Sequence, residues 1–381
     1  MRKTAQLPSH SASIENPFTP SFGEIPLFMA GRNDFISRMS RALDRSGRAP
    51  ELTTLVSGAR GTGKTALLGY VAEMSERHGW ISVGVSALPG LLEEVLAVAR
   101  RKASRVLGDH DGPRLTGLGV GGLLNAEWEL PSQNAPTWRT AMEDLLDLLA
   151  AHDLGLLITV DEVSPQVDEM VTLAATYQHF VIERRRIALI MAGLPYNVDE
   201  LAGHKSISFL RRAQRERLGR IPHFEIEDAW RRTIAESGRF VSDDATSLAV
   251  TAIDGFPFML QLVGYRAWDC HPREAEVSYA DVARGTDMAR HEMYSRVLES
   301  TYRELSEGDL AFLRAMLPDR DESSMANIAE RMGKSRAYAG TYRKRMLRQG
   351  IIGERRRGYV GFDLPLFGEF LAQKDADGGL T

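Results

Sequence analysis

The sequence predicts an α/β protein whose core is a doubly wound parallel sheet, followed by a helical region and a basic C-terminal segment. Two apolar runs, 156–160 and 187–191, show no polar alternation, which is typical of parallel strands covered on both faces. Segments of helical periodicity precede and follow each run. This alternation of strands and helices favours a doubly wound sheet.

The pattern divides the chain into four regions. Strand-like runs end near residue 226, and the segments that follow have helical patterns alone. The predicted regions are a flexible arm at 1–26, an α/β core at 27–225, a helical lid at 226–300 and a winged helix-turn-helix at 301–375. Within the core, the glycine-rich stretch 108–136 predicts a hairpin insertion.

Composition places limits on the protein class. The 381 residues are 43% hydrophobic and 26% charged, as in a soluble globular protein of two or three domains. No apolar run is long enough to predict a membrane span. The single cysteine, Cys270, favours a reducing compartment, the cytoplasm. Residues 323–360 hold ten basic and two acidic side chains although the whole chain has a net charge of -4, which predicts a surface for a polyanion.

A glycine-rich loop follows the β-rich run 52–57 and begins an amphipathic helix. Its pattern, G-x-x-x-x-G-K-[ST], is that of a P-loop, whose backbone N–H groups and helix N-terminus bind phosphates. Lys64 is predicted to reach the β- and γ-phosphates and Thr65 to bind Mg²⁺, so the predicted cofactors are ATP and Mg²⁺. The predicted nucleotide-binding residues of the loop are Gly58, Ala59, Arg60, Gly61, Thr62, Gly63, Lys64 and Thr65.

An acidic pair, Asp161 and Glu162, ends the apolar run 156–160. At the carboxyl end of a strand in an open α/β sheet, such side chains face the ligand crevice. Asp161 is therefore predicted to bind Mg²⁺. Glu162 is predicted to be the general base of ATP hydrolysis, and Lys64 is the second predicted catalytic residue. The alternative, a solvated acidic turn, is disfavoured by the upstream P-loop.

These motifs resemble those of AAA+ ATPases. The resemblance rests on the segment Gly31-Arg32-Asn33-Asp34, the P-loop, the run Val160-Asp161-Glu162 and the winged-helix pattern at the C-terminus. The nearest branches are the archaeal origin-recognition initiators and the related STAND-like bacterial ATPases. The resemblance spans most of residues 28–370. It implies that Arg32 lies near the nucleotide base and that the ATPase core can form homo-oligomers.

Two positions depart from the AAA+ pattern. The run Met191-Ala192-Gly193-Leu194-Pro195 lacks the polar sensor residue that the family places at the end of this strand. The turn Gly255-Phe256-Pro257-Phe258 resembles the Gly-x-Pro turn of STAND ATPases and stands where many AAA+ lids carry an arginine for the γ-phosphate. We therefore expect slow hydrolysis and a nucleotide-controlled switch.

Arg211 and Arg212 follow the sensor strand, in the region where AAA+ proteins place an arginine finger. The alternative interpretation of the arginine-rich run 209–220 is the solvated face of a helix.

The segment 305–375 has the order of a winged helix-turn-helix. Two helices and a turn precede a third helix at 336–349, which Ser335 can cap. The arginine run 355–357 and its flanks predict a two-stranded wing. The predicted contacts with double-stranded DNA are Arg336, Tyr338, Arg343, Lys344, Arg348, Arg355, Arg356 and Arg357.

Two functions remain open at this stage. The first is a slow ATPase that acts as a nucleotide-dependent switch and binds DNA through its winged helix. The second is a STAND-like signalling ATPase whose C-terminal domain recruits a protein partner. The positive charge of residues 323–360 favours the first. A small-molecule phosphotransferase is disfavoured because the sequence offers no acceptor-site motif.

Overall fold

The computed structural model describes residues 15–21, 23–45, 49–108 and 137–378. These residues form two compact units. The core unit takes in Arg32–Gly219 and Leu305–Thr381, and the helical unit takes in Met1–Gly31 and Arg220–Glu304. The predicted hairpin insertion, apart from Gly108, and residues 1–14 of the predicted arm lie outside the described residues.

A five-stranded parallel sheet forms the centre of the core unit. Its strands are β1 (Thr53–Gly58), β2 (Trp80–Ser86), β3 (Gly155–Asp161), β4 (Ile187–Gly193) and β5 (Gln214–Leu218). They lie in the order β2-β3-β4-β1-β5. Every residue of β4 is buried, and β3 is buried as far as Asp161, as expected for strands covered on both faces. The predicted doubly wound α/β core is confirmed.

Helices cover this sheet. They are α1 (Asn33–Asp44), α2 (Lys64–Arg77), α3 (Leu91–Leu107), α4 (Trp138–Ala151), α5 (Asp168–Ile182) and α6 (Pro195–Ala202), with 3₁₀ segments at Pro50–Leu52 and Lys205–Arg212. Val95, Leu146 and Leu173 of these helices share one buried cluster with Ile158 and Leu189 of the sheet. This packing fixes the carboxyl ends of β1, β3 and β4 at one edge of the sheet, because parallel strands all end on the same side.

The interpretation of residues 209–220 as a helix face is wrong. The 3₁₀ segment ends at Arg212, and Gln214–Leu218 is the edge strand β5, paired with β1. Arg215 and Arg217 are exposed while the residues between and beside them are partly or fully buried. This alternation with a period of two is that of a strand, and the run of arginines obscured it.

The C-terminal part of the core unit is a small mixed fold. Its elements are α12 (Glu307–Arg314), β8 (Ser323–Ser324), α13 (Met325–Arg331), α14 (Arg336–Gln349), β9 (Ile352–Arg356), β10 (Tyr359–Phe362) and α15 (Phe367–Gly378). The strands form an antiparallel sheet in the order β8-β10-β9. The Ser335 hydroxyl accepts a hydrogen bond from the Tyr338 N–H at 3.2 Å, which confirms the predicted cap of α14.

Helices dominate the helical unit. They are α7 (His223–Glu236), α8 (Asp243–Ile253), α9 (Pro257–Cys270), α10 (Tyr279–Glu292) and α11 (Glu299–Arg303), with a π-helical turn at Met293–Leu298. The prediction that strands end near residue 226 needs one correction, because β6 (Phe240–Val241) and β7 (Glu276–Val277) form a short parallel pair. Across the described residues, no helix combines the length and apolar character needed to cross a bilayer.

Part of the predicted flexible arm is packed into the helical unit. Phe18 is 2% exposed, and its ring centroid lies 5.4 Å from that of Trp230 on α7. A Cβ atom on Gly264 of α9 would lie 2.3 Å from Phe18 Cδ1, so glycine makes room for the ring. The Asn16 side chain donates to the Tyr265 carbonyl at 3.0 Å. Residues 16–18 are therefore a structural part of this unit.

Phe18→Ala is expected to lower the free energy of unfolding of the helical unit by about 3–5 kcal/mol, because the variant loses burial and leaves a cavity between α7 and α9. Native-state hydrogen exchange of these two helices measures the loss. Leu27→Ala, at a position 58% exposed, is the control and should change this free energy little. Equal effects of the two variants would contradict the packing role of Phe18.

Candidate functional site

The P-loop connects β1 to α2 and has the backbone geometry that phosphate binding needs. Gly63, directly before α2, has φ 84°, a left-handed value that glycine adopts without strain. A Cβ atom on Gly58 would lie 2.5 Å from Thr62 Oγ1 and 2.9 Å from the Leu218 carbonyl oxygen. The loop therefore requires glycine at both positions, and its N–H groups remain at the N-terminus of α2, where they favour an anion.

Lys64 begins α2 and lies against the loop that precedes it. Its ammonium group donates to the carbonyls of Gly58 at 3.0 Å and Ala59 at 2.9 Å. Burial lowers the pKa of Lys64, and the carboxylates of Glu162 and Asp161 oppose this shift. The ammonium group of Lys64 is thus attracted by both carboxylates. This is the position expected of a lysine that contacts phosphates.

The structure brings together the two residues predicted to bind magnesium. Thr65, at the start of α2, donates its hydroxyl to Asp161 Oδ2 at 2.5 Å across 96 positions of sequence. Hydroxyl and carboxylate oxygens are the donors that Mg²⁺ prefers, and two protein oxygens suit an ion that completes its shell with water and phosphate oxygens. The donor set therefore fits Mg²⁺.

Glu162 lies directly beyond the carboxyl end of β3. Its N–H donates to Asp161 Oδ1 at 2.8 Å, so the aspartate carboxylate is held from two sides. Glu162 has φ 54°, in the left-handed region that a glutamate seldom adopts. Its side chain is exposed and therefore accessible to water.

Four of the eight predicted DNA contacts are engaged in ion pairs within the core unit. Arg343 pairs with Glu354. Arg355 pairs with Asp363 at 2.7 Å, and Arg356 with Glu322 at 2.6 Å. Arg348 Nη2 lies 3.2 Å from Glu200 Oε1 on α6. These guanidinium groups already have a carboxylate partner, so they are less available to phosphates.

The remaining predicted contacts are exposed along α14 and at the tip of the β9–β10 hairpin. In the described part of the chain, Arg336, Lys344 and Arg357 make no ion pair. Lys334 belongs with them: it is exposed, and its ammonium lies 5.7 Å from the centroid of the exposed Tyr338 ring. Lys334 is one of the ten basic residues of 323–360 but is not among the predicted DNA contacts, although its place in the turn is a signal for such a contact.

Comparison with known proteins adds to this geometry. Residues 295–371 match a family described as Domain of unknown function (DUF8462), and no curated protein sequence matches the chain. A Walker-type ATPase of Pyrococcus abyssi, PABY2304, is similar with a TM-score of 0.63 at 15% identity over 90% of this chain and 96% of that chain. The ORC2 protein of Aeropyrum pernix in its ADPNP–ADP complexes is similar with a TM-score of 0.60 at 14% identity, covering 95% and 98%. Its ADP form gives 0.56 at 13% identity, covering 94% and 98%.

This chain shares the fold of the Walker-type ATPase and of the ORC2 protein. The predicted likeness to origin-recognition-type initiators is confirmed at the level of fold. In the sheet of this chain, β4 lies between the strand with the acidic pair and the strand with the P-loop. Ala192, Gly193 and Leu194 at its end are all buried, and Gly193 packs against Val163. The strand thus offers an apolar end at the sensor position.

Arg32 braces the P-loop. The side chain is 8% exposed, and its Nη2 donates to the Thr62 carbonyl at 3.1 Å and to the Gly219 carbonyl at 3.3 Å. The resemblance implies that Arg32 lies near the nucleotide base. The observed contacts show that the side chain also stabilises the loop. Arg32 holds the loop to the end of β5.

The two arginine-finger candidates differ in their surroundings. Both are exposed at the end of the 3₁₀ segment before β5. Arg211 donates to the Gly203 carbonyl at 3.3 Å, which holds its guanidinium close to its own core unit. Arg212 makes no comparable contact among the described residues, so it is the better candidate to reach a neighbouring molecule.

Proposed function

We propose that this chain is an ATP-dependent switch that hydrolyses ATP slowly and binds double-stranded DNA through its C-terminal segment, a winged helix-turn-helix. The single observation that supports the nucleotide role most directly is the 2.5 Å contact between Thr65 and Asp161. It joins the P-loop helix to the acidic strand end. The pairing supplies two oxygen donors of the kind that a nucleotide-bound Mg²⁺ uses.

The reaction we propose uses four side chains of the core unit. Lys64 contacts the β- and γ-phosphates, while Thr65 and Asp161 hold Mg²⁺. When bound, the ion neutralises charge on the phosphate oxygens. Glu162 orients the attacking water and accepts its proton. Because β4 ends in apolar residues, no polar side chain from that strand helps to position this water, and we infer slow turnover.

The exposed cations of the C-terminal segment support DNA as the partner. The order of α13, a turn, α14 and a two-stranded hairpin is that of a winged helix-turn-helix, whose second helix enters the major groove. Lys334, Arg336 and Lys344 are exposed at the turn and on α14, and Arg357 at the hairpin tip. We infer that these four residues, which we call the free cations, contact DNA phosphates.

Replacing the four free cations with alanine is expected to weaken binding to any duplex and to flatten the dependence of affinity on salt. Each lost phosphate contact removes about 0.9 from the slope of log affinity against log salt, so the slope should fall by about 3 to 4. The measurement is a salt series with a duplex of random sequence. The four lost charges are Lys334, Arg336, Lys344 and Arg357.

A variant of equal charge loss serves as the control. It replaces the four paired arginines with alanine, and its salt slope should stay close to that of the wild type. These residues are Arg343, Arg348, Arg355 and Arg356. Equal losses in both variants would show that ion pairing does not decide which residues contact DNA. Wild-type affinity and slope in the free-cation variant would exclude DNA contact by this surface.

The alternative function is a STAND-like signalling ATPase whose C-terminal segment recruits a protein. One observation favours it: the paired arginines, with their carboxylates, give part of this surface both charge signs, which is more typical of a protein interface than of a DNA surface. We place it second because the free cations lie on the elements that enter DNA grooves in this architecture.

We also propose that the core forms homo-oligomers in which Arg212 acts on the nucleotide of a neighbouring copy. In that case, turnover per molecule rises with protein concentration in the wild type, because each site needs a neighbour. Arg212→Ala should abolish this rise, while Arg211→Ala should keep it. A steady-state ATPase assay over a range of protein concentrations distinguishes the two, and an unchanged rise in Arg212→Ala would remove this assignment.

A further inference from the structure

The C-terminal end of α14 packs against the start of α6 within the core unit. Gly350, which follows α14, is buried and has φ 70°. A Cβ atom on it would lie 2.7 Å from Leu194 Cδ2 and 3.1 Å from Leu194 Cδ1. Glycine is required at this position both by the left-handed backbone and by the close approach of the leucine.

A second contact supports the first. Arg348 Nη2 lies 3.2 Å from Glu200 Oε1 and 3.4 Å from Glu200 Oε2, and its guanidinium lies 5.2 Å from the centroid of the Tyr196 ring. The side chains of Arg348 and Glu200 are 37% and 36% exposed. An ion pair of this exposure is screened by solvent and therefore orients α14 while remaining easy to break.

The same end of α6 is tied to the acidic pair. Leu194 is the first residue after β4, and the carbonyl of Ala192, two residues earlier, accepts a hydrogen bond from the Val163 N–H at 2.9 Å. A Cβ atom on Gly193 would lie 3.1 Å from the Val163 Cβ. Val163 directly follows Glu162. A continuous set of short contacts thus leads from Glu162, to which we assign the attacking water, to the end of the helix that we assign to DNA.

We propose that this set of contacts couples the nucleotide state to the position of α14. Tightly packed elements shift between discrete arrangements, so a change at Glu162 and Val163 moves Leu194 and α6, and with them the Arg348 end of α14. This inference rests on the proposed function and names its regulation. The inference also gives Arg348 a role other than DNA contact. Arg348 is a positioning residue that orients α14 on the core.

Glu200→Arg tests the coupling because it places a second cation against Arg348. Asp199→Arg is the matched control. Asp199 precedes Glu200 on α6, but its carboxylate pairs with Arg215 on β5 at 3.1 Å, away from α14, and the change in charge is the same. Neither residue belongs to the P-loop, the acidic pair or the free cations. The double variant Glu200→Arg with Arg348→Glu restores the pair in reverse.

Two readouts separate the coupling from DNA binding itself. The first is the ratio of DNA affinities with a non-hydrolysable ATP analogue and with ADP, for which coupled sites give typically 5- to 150-fold. The second is hydrogen exchange of α14 amides with and without nucleotide, in the absence of DNA. Wild type and Asp199→Arg should show both responses. Glu200→Arg should lose both at unchanged nucleotide affinity, and the double variant should regain them.

The outcomes distinguish the inference from the function on which it rests. The coupling is overturned if Glu200→Arg keeps both responses, or if hydrogen exchange of α14 in the wild type is the same with and without nucleotide. Either result leaves the ATPase and DNA proposals untouched. If the protein binds no DNA, but α14 exchange responds to nucleotide and loses that response in Glu200→Arg, the coupling holds and the DNA proposal fails.

Discussion

Glu162→Gln is expected to slow ATP turnover by about 10²-fold or more while ATP binding stays near the wild-type level. Glutamine keeps the size of the side chain and can still hydrogen-bond the attacking water, but it cannot accept the proton. The substitution also leaves the fold intact, because the left-handed φ of 54° at this position strains glutamine and glutamate alike. Single-turnover hydrolysis and titration of a fluorescent ATP analogue measure the two quantities.

Glu94→Gln provides the matched control, because it makes the same chemical change at an exposed position on α3. Its turnover should equal that of the wild type. If Glu162→Gln also keeps wild-type single-turnover rates, another residue activates the water. If only the steady-state rate is unchanged, product release limits turnover, and the single-turnover experiment separates these two cases.

Lys64→Ala is expected to weaken ATP binding by about 10²-fold. The ammonium group makes charge-assisted hydrogen bonds, each contributing about 1.5–3 kcal/mol, and the variant loses those to the phosphates. The measurement is a titration with the fluorescent analogue, with circular dichroism to show that the fold is intact. Lys64→Met should give a similar loss, because it fills the buried space beside Gly58 and Ala59 without a charge.

Arg77→Ala is the control for this experiment, since it removes one positive charge from the other end of the same helix, α2, at a side chain that is 74% exposed. Its ATP affinity should match the wild type. Unchanged affinity in both Lys64 variants, with the fold intact, would refute the phosphate assignment of the loop.

Local patterns in the sequence determined the geometry of the candidate site. The P-loop and the acidic pair each follow a strand, and parallel strands must end at the same edge of the sheet, so their meeting at Thr65 and Asp161 could be foreseen. The same holds for the Ser335 cap, which depends on residues three positions apart. Such features follow from the sequence because neighbouring residues and strand direction specify them.

The sequence also determined the apolar end of β4. The sequence already shows that no polar sensor residue stands at the end of β4, and the structure adds that Gly193 packs against Val163.

By contrast, the strand β5 lies where the sequence suggests a helix face, because its period of two covers only Gln214–Leu218 and arginines mask the alternation. An edge strand this short is specified by its pairing with β1 rather than by its own pattern.

Only the tertiary structure decided which arginines of the basic segment are free. The sequence assigns all of them the same charge. In the structure, Arg348 pairs with Glu200, which is 148 positions away, and Arg356 pairs with Glu322, which is 34 positions away. Phe18 likewise gains its burial from Trp230, in another part of the chain. A local pattern records the charge and hydrophobicity of a side chain, whereas its partner is set by chain packing over long separations, and that packing leaves Lys334, Arg336, Lys344 and Arg357 facing outward.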